Sequence, residues 1–397
     1  MNILTICGVF APENEQEILR HAKKPVEYSA NVFQEKLIRG IRETGYTSSV
    51  ISAPFIGSYP NASDWVCFKG FETRQNGYKY VPFLNLWGLR NYSRCASLKT
   101  AVADFIQVDD SEKLIIVYSP HTPFLEAAVY AKSKDPRIKI CLVIPDVPQY
   151  MNLNAHVSMV YKIGKKFDIA KFNKLNRHVD SYMLLTEAMR DVIDTHGCPY
   201  CVIEGIVNSD VFDKKHPQKQ MPENDDVKYI VYTGKTNEKF GVKELVDAFE
   251  TLENPNLRLV ICGSGDSDTY IAQRAKMDSR LLALGQVPHN QAIEWVCRAD
   301  VLVNPRQDNE EYTKYSFPSK NIEYLSSGNP TVGYILRGMK PIYRDFMFAA
   351  NEDGLGAAIT RALNESEEDR TLRFEKVKIY MQSLSGRNVA LQIIRMK

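Results

Sequence analysis

The sequence predicts an α/β protein built from two parallel-sheet domains, and three observations carry that prediction. Short apolar runs alternate with amphipathic helical ones through most of the chain, as parallel sheets require. The alternation lapses over residues 209–227, where Lys, Gln, Pro, Asn and Asp displace apolar residues and mark a linker. The length of 397 residues also exceeds what one hydrophobic core usually serves.

Composition narrows the class. Apolar content of 44% and charged content of 25% are those of a globular protein. A net charge of +2 gives no global case for nucleic-acid binding. The eight cysteines are scattered and do not form a disulfide framework, so a reducing compartment is expected. The chain begins with a strand-like run, Asn2-Ile3-Leu4-Thr5-Ile6, and no apolar run is long enough to cross a bilayer. The expected location is the cytoplasm, with any membrane contact peripheral.

In the first domain, expected at 1–208, Ile3–Ile6 is a strand ending at Cys7-Gly8-Val9. Residues 28–42 have helical spacing through Val32, Leu37 and Ile41. Leu114–Tyr118 and Ile140–Ile144 read as fully buried parallel strands. They lead into Ser119-Pro120-His121-Thr122-Pro123 and Pro145-Asp146-Val147-Pro148. Open α/β sheets bind ligands beyond the carboxyl ends of their strands. Gly8, His121 and Asp146 are therefore candidates for one cleft, although His121 also reads as a loop histidine satisfied by backbone groups.

Residues 55–92 break the alternation and are rich in aromatics, among them Trp65, Phe68, Trp87 and Tyr92. They read as an insertion, either a lid on the acceptor side or a local core. Lys162, Lys165, Lys166, Lys171, Lys174 and Arg177 accompany Met159, Ile163, Phe167 and Ala170 at helical spacing. Residues 159–178 thus read as a basic amphipathic helix, either solvated or docked on an anionic membrane face. Cys198-Pro199-Tyr200-Cys201 has the spacing of a redox motif, but it precedes an expected strand, Val202–Val207, instead of opening a helix. No second such pair exists to complete a zinc site.

The second domain, expected at 228–372, has strands at Lys228–Thr233, Leu257–Cys262, Leu281–Leu284 and Val301–Val303, and helices at 242–252 and 293–298. Gly263-Ser264-Gly265 lacks the third glycine of a dinucleotide fingerprint. Asp266 and Asp268 read as turn acids, with no further metal ligand in view. The last strand runs into a loop, and Phe317-Pro318-Ser319-Lys320 then opens a short helix that Gly328 stops. Its N-terminus offers N–H groups and positive potential, and Lys320 adds a cation where the dipole disfavours one. The strand ends collect Lys235, Gly263, Gly265, Gly285, Gln286, Arg306, Ser319, Lys320 and Glu323. Small residues permit close approach, bases meet phosphate and a carboxylate meets hydroxyls, which together suit a nucleotide sugar.

The sequence resembles the retaining GT-B glycosyltransferases of the family-4 kind, most closely the bacterial capsule, O-antigen and exopolysaccharide members. The resemblance rests on Gly8, Tyr28-Ser29-Ala30-Asn31-Val32-Phe33-Gln34, Leu185-Thr186-Glu187 with Glu204-Gly205, Gly234-Lys235, Gly263-Ser264-Gly265, Leu284-Gly285-Gln286-Val287 and Phe317–Leu325. It implies two Rossmann-like domains facing a cleft, with residues 373–397 forming a helical segment that packs back on the first domain. It assigns Glu323 to the ribose hydroxyls, Lys235 to the diphosphate, Gln286-Val287 to the base and His121 to the donor sugar. His121, Asp146 and Lys320 are the expected catalytic residues. No metal or cofactor is expected, the nucleotide-diphosphate sugar being a substrate, and the implied acceptor is a glycan or lipid-linked glycan. Two departures stand out. Eight positions before Glu323, where the family has a second glutamate, stands Tyr315, with Glu310 and Glu311 off register. Phe240 separates Lys239 from Gly241 in place of the family's basic-Gly pair. A nucleotide-sugar isomerase or a non-catalytic nucleotide-sugar binder are the competing readings.

Overall fold

The computed structural model describes residues 1–10, 12–24, 26, 28–73, 77–108, 112–148, 159–207 and 226–397. Most of the linker expected at 209–227 lies outside them. The chain divides into two units, Met1–Ile206 with Leu384–Lys397, and Val207–Ser383.

In unit 1 the strands are β1 (Asn2–Cys7), β2 (Thr47–Ser52), β3 (Cys67–Phe68), β4 (Phe71–Glu72), β5 (Tyr78–Tyr80), β6 (Phe83–Leu84), β7 (Lys113–Tyr118), β8 (Ile138–Ile144), β9 (Ser181–Leu184) and β10 (Tyr200–Val202). The helices are α1 (Pro12–His21), α2 (Tyr28–Glu43), α3 (Arg90–Ala101), α4 (Ala103–Gln107), α5 (Thr122–Lys134) and α6 (Met159–Asn176). Eight strands form one sheet in the order β10-β9-β8-β7-β1-β2-β5-β4, parallel except for β4 against β5. β7 is buried along its whole length, as expected for a strand covered on both faces. The strand expected at Val202–Val207 instead occupies Tyr200–Val202, inside the cysteine motif. Its ladder to β9 ends where Val202 meets Leu184, the last residue of β9.

The aromatic insertion supplies β3–β6 and fills much of its own interior. Phe68 stacks on Phe83 at 5.2 Å and Phe71 on Tyr80 at 4.4 Å. Trp87 and Tyr92 remain exposed. The basic helix forms as α6, but Ile163 and Phe167 are 51% and 72% exposed. Phe172 supplies its buried contact instead.

Unit 2 contains β11 (Lys228–Thr233), α7 (Val242–Glu250), β12 (Leu257–Cys262), α8 (Asp268–Met277), β13 (Leu281–Gly285), α9 (His289–Arg298), β14 (Val301–Asn304), α10 (Ser319–Ser326), β15 (Thr331–Gly333), β16 (Phe348–Ala349), α11 (Gly354–Leu363) and α12 (Glu367–Ser383). Its six strands are all parallel in the order β13-β12-β11-β14-β15-β16. One core packs Ile230, Leu259, Val301 and Val303 against Val246, Phe249 and Ile359. The terminal stretch 373–397 is shared out: α12 ends in unit 2, and α13 (Gly386–Arg395) packs on α2 in unit 1. A Cβ on Gly40 would lie 2.1 Å from the Gly386 backbone, so only glycine allows these two helices to meet so closely.

Candidate functional site

In unit 2 the loops leaving β11, β12 and β13 are tied edge to edge. Gly234 N–H donates to Cys262 C=O at 2.9 Å, and Gly263 N–H donates to Gly285 C=O at 2.8 Å. A Cβ on Gly263 would lie 1.6 Å from the Gly234 carbonyl oxygen, so this position admits no side chain. The acids of the 266–268 turn reinforce the same edge. Asp266 accepts from Glu238 N–H and Asn237 Nδ2, and Asp268 accepts from Gly265 N–H and the Thr236 hydroxyl. Their oxygens are occupied in shaping the loop. Among the described residues, no group of three or more His, Cys, Asp or Glu could hold a metal ion.

The α10 helix is pinned beneath this edge by two buried contacts. The Tyr324 hydroxyl accepts from Thr233 N–H at 2.8 Å and lies 3.2 Å from Thr233 C=O, to which it donates. Burial pushes this phenol far above its ordinary range, so it remains a neutral donor and acceptor. Asn304 Nδ2 donates to Asn321 Oδ1 at 2.6 Å, tying α10 to the end of β14. The N-cap is Pro318, with no side-chain cap; Asn321 N–H donates to Pro318 C=O at 2.9 Å, so the Ser319 and Lys320 N–H groups head the helix.

Lys320 and Glu323 occupy the outer face of this helix. Lys320 Nζ lies 2.9 and 3.0 Å from the two Glu323 oxygens and 3.3 Å from Thr233 Oγ1. Its charge also reaches Cys262, whose thiol burial pushes up to about 11 despite that cation. Lys320 therefore stands over the ends of both β11 and β12.

The other expected donor residues are placed as follows. Lys235 is exposed at the end of β11, and Gly263 and Gly265 line the next loop. Gln286 is exposed, with Oε1 3.5 Å from Ser264 Oγ, and Val287 packs on the core behind it. Ser319 is exposed at the first turn of α10. Arg306 Nη2 donates to Ser316 Oγ at 2.8 Å, while its buried Nε has no partner. Tyr315 is buried at the end of the 311–315 turn. Glu310 and Glu311 are exposed, and Glu311 pairs with Arg337 at 3.4 Å. Thr233 and Tyr324 escaped sequence reasoning, since each reads alone as an ordinary strand or helix residue.

In unit 1, Gly8 N–H donates to Gln34 Oε1 and Phe10 N–H to Asn31 Oδ1, so the 28–34 motif fastens the loop after β1. Phe55 bridges Gly8 and His121: a Cβ on Gly8 would lie 2.6 Å from its ring, and its centroid is 5.9 Å from that of His121. His121 is the N-cap residue of α5. Asp146 is exposed after β8.

Residues 227–365 match the family model described as glycosyl transferases group 1. That match spans the welded loops and the whole of α10. Solved structures similar to the chain include the lipopolysaccharide outer core galactosyltransferase WaaB, at TM-score 0.60 and 13% identity, covering 100% of this chain and 99% of that one. The Anabaena protein HepE in complex with UDP is similar at TM-score 0.62 and 13% identity, covering 100% and 99%. The α,α-trehalose 6-phosphate synthase from Burkholderia multivorans is similar at TM-score 0.61 and 12% identity, covering 99% and 95%. At these identities the likeness is one of fold, the GT-B architecture of two Rossmann-like units. No curated protein sequence matches the chain.

Proposed function

We propose that this protein transfers a sugar, with retention of anomeric configuration, from a nucleotide-diphosphate donor to a glycan or lipid-linked glycan in bacterial surface polysaccharide assembly. The observation that carries the reading is the group 1 domain match, which contains Lys320 and Glu323 on a helix whose N-terminus is uncapped. A similar structure was solved with UDP-glucose, which favours a uridine nucleotide donor. Lys320, Lys235 and the α10 N–H groups would stabilise charge on the departing diphosphate, and Glu323 would accept from the ribose hydroxyls. The departing phosphate would take the acceptor proton, and these fixed cations would do the work without a metal. His121 and Asp146 are assigned to the sugar and acceptor side.

Residues 159–178 are assigned to contact with the inner face of the cell membrane. Ile163 and Phe167 lie one turn apart on α6 and are exposed beside Lys166, a composition suited to an anionic lipid surface. Among the described residues, no helix is long and apolar enough to cross a membrane.

The test is incubation with a panel of nucleotide sugars, with and without membrane lipid extract, following nucleotide release. Acceptor-dependent release is expected. A changed sugar without release would replace transfer by isomerisation, and binding without turnover would remove both enzymatic readings.

A further inference from the structure

Unit 1 buries positive charge that no carboxylate pairs among the described residues. Arg94 is 1% exposed on α3, and its contacts are all neutral. Nη2 donates to Pro54 C=O, Nη1 faces His121 Nε2 at 3.5 Å, and the guanidinium carbon stands 4.4 Å from the Phe83 ring centre. Among the described residues its Nε–H has no partner. One turn earlier, Arg90 donates from Nη1 to Ile56 C=O at 3.0 Å. A buried guanidinium without a counter-anion is costly, and proteins ordinarily pair it.

On the adjoining helices α5 and α6, two acids bind other groups. Glu126 binds Lys99 and Lys171, and Asp168 accepts from the Thr122 hydroxyl. Burial, then Arg94, then Arg90 hold the His121 imidazole well below its ordinary pKa. A neutral His121 that accepts from Arg94 at Nε2 carries its proton on Nδ1, which makes it a donor on its other side. His121 is also the N-cap of α5, a helix of 13 residues; Asp168 meets its Thr122 hydroxyl, and the Phe124 and Leu125 N–H groups donate to His121 C=O, which leaves Thr122 N–H at the helix start.

We infer that Arg90, Arg94, His121 and the N-terminus of α5 form an anion site in unit 1, and that its ligand is the phosphoryl group of a phosphorylated acceptor. Two guanidinium charges match a phosphomonoester of about −2 better than a single carboxylate. The assignment to an acceptor rests on the transferase reading, whereas the anion site stands on unit 1 alone.

The experiment uses the intact chain in phosphate-free buffer, with Lys320→Gln as the background so that the α10 site does not report. Inorganic phosphate is titrated while Tm and direct binding are followed. A saturable rise in Tm is expected. Arg90→Gln should weaken phosphate binding at least about tenfold. Arg94→Met should raise Tm in the absence of phosphate, because an unpaired charge is gone, and should abolish the phosphate-dependent rise. Vesicles of phosphatidic acid, set against phosphatidylcholine and soluble glycerol phosphate, distinguish a lipid phosphate from a free one. The inference is overturned by no phosphate response in the Lys320→Gln background, or by an undiminished response in both arginine variants. Nucleotide-sugar binding by the wild-type chain is measured separately, so failure of the transferase reading leaves the phosphate result interpretable.

Discussion

Lys320 and Glu323 form an ion pair at 2.9 Å across one turn of α10, above Thr233. Both side chains are more than a third exposed, so the pair itself contributes only about 0–1 kcal/mol. Charge-assisted hydrogen bonds to a ligand are worth about 1.5–3 kcal/mol each, so a diphosphate for Lys320 and a ribose for Glu323 outweigh the pair. The two groups thus hold each other in place, and on the proposed reading a donor would release them cheaply.

Glu323→Ala should therefore weaken nucleotide-sugar binding by about 10- to 100-fold while barely changing stability. Calorimetric titration beside a denaturant midpoint checks this. An unchanged dissociation constant would show the carboxylate to be idle.

For Lys320→Gln, the loss should fall mainly on kcat, by about 100- to 1,000-fold, because charge on the departing diphosphate grows in the transition state. A loss confined to KM would reduce the lysine to a binding role.

Tyr324→Phe deletes the hydroxyl that satisfies Thr233 N–H within the buried edge of the sheet. Urea denaturation should report a destabilisation of about 1–3 kcal/mol. No destabilisation would mean that α10 is held by other contacts.

Gly40→Ala should loosen α13 from α2, since the added methyl meets backbone that has little room to give. A loss of about 1–3 kcal/mol is expected, with faster hydrogen exchange over residues 386–395.

Acid stability should depend on Glu126, which binds Lys99 of α3 and Lys171 of α6. Burial raises its pKa, but hydrogen bonds from Lys171, Lys99 and Cys95 outweigh this and hold it near about 2, against an ordinary 4.5. A depressed carboxyl contributes stability that is full above its unfolded pKa and lost as pH falls through the folded one. Wild-type stability should decline between about pH 4.5 and 2, and Glu126→Gln should flatten that part of the profile. Parallel declines in both proteins would assign the acid sensitivity to other groups.

The α/β alternation, the strands β1, β7, β8 and β11–β14, and the gathering of Lys235, Gly263, Lys320 and Glu323 at strand ends were all legible in the sequence. Parallel strands buried on both faces are written as apolar runs, and their carboxyl ends mark one edge whatever the packing. The short strand β9 was hidden, and β10 was expected at Val202–Val207 instead of Tyr200–Val202, because the extent of such short strands is set by their neighbours' ladders. Tertiary structure alone decided what holds the site together and what it lacks. Tyr324 and Thr233 are 91 residues apart, and Arg94 and His121 are 27 apart, so no local pattern announces either pair. Whether a buried charge has found its partner depends on packing from several distant segments, and for Arg94 that packing supplies, among the described residues, a carbonyl, an imidazole and an aromatic ring.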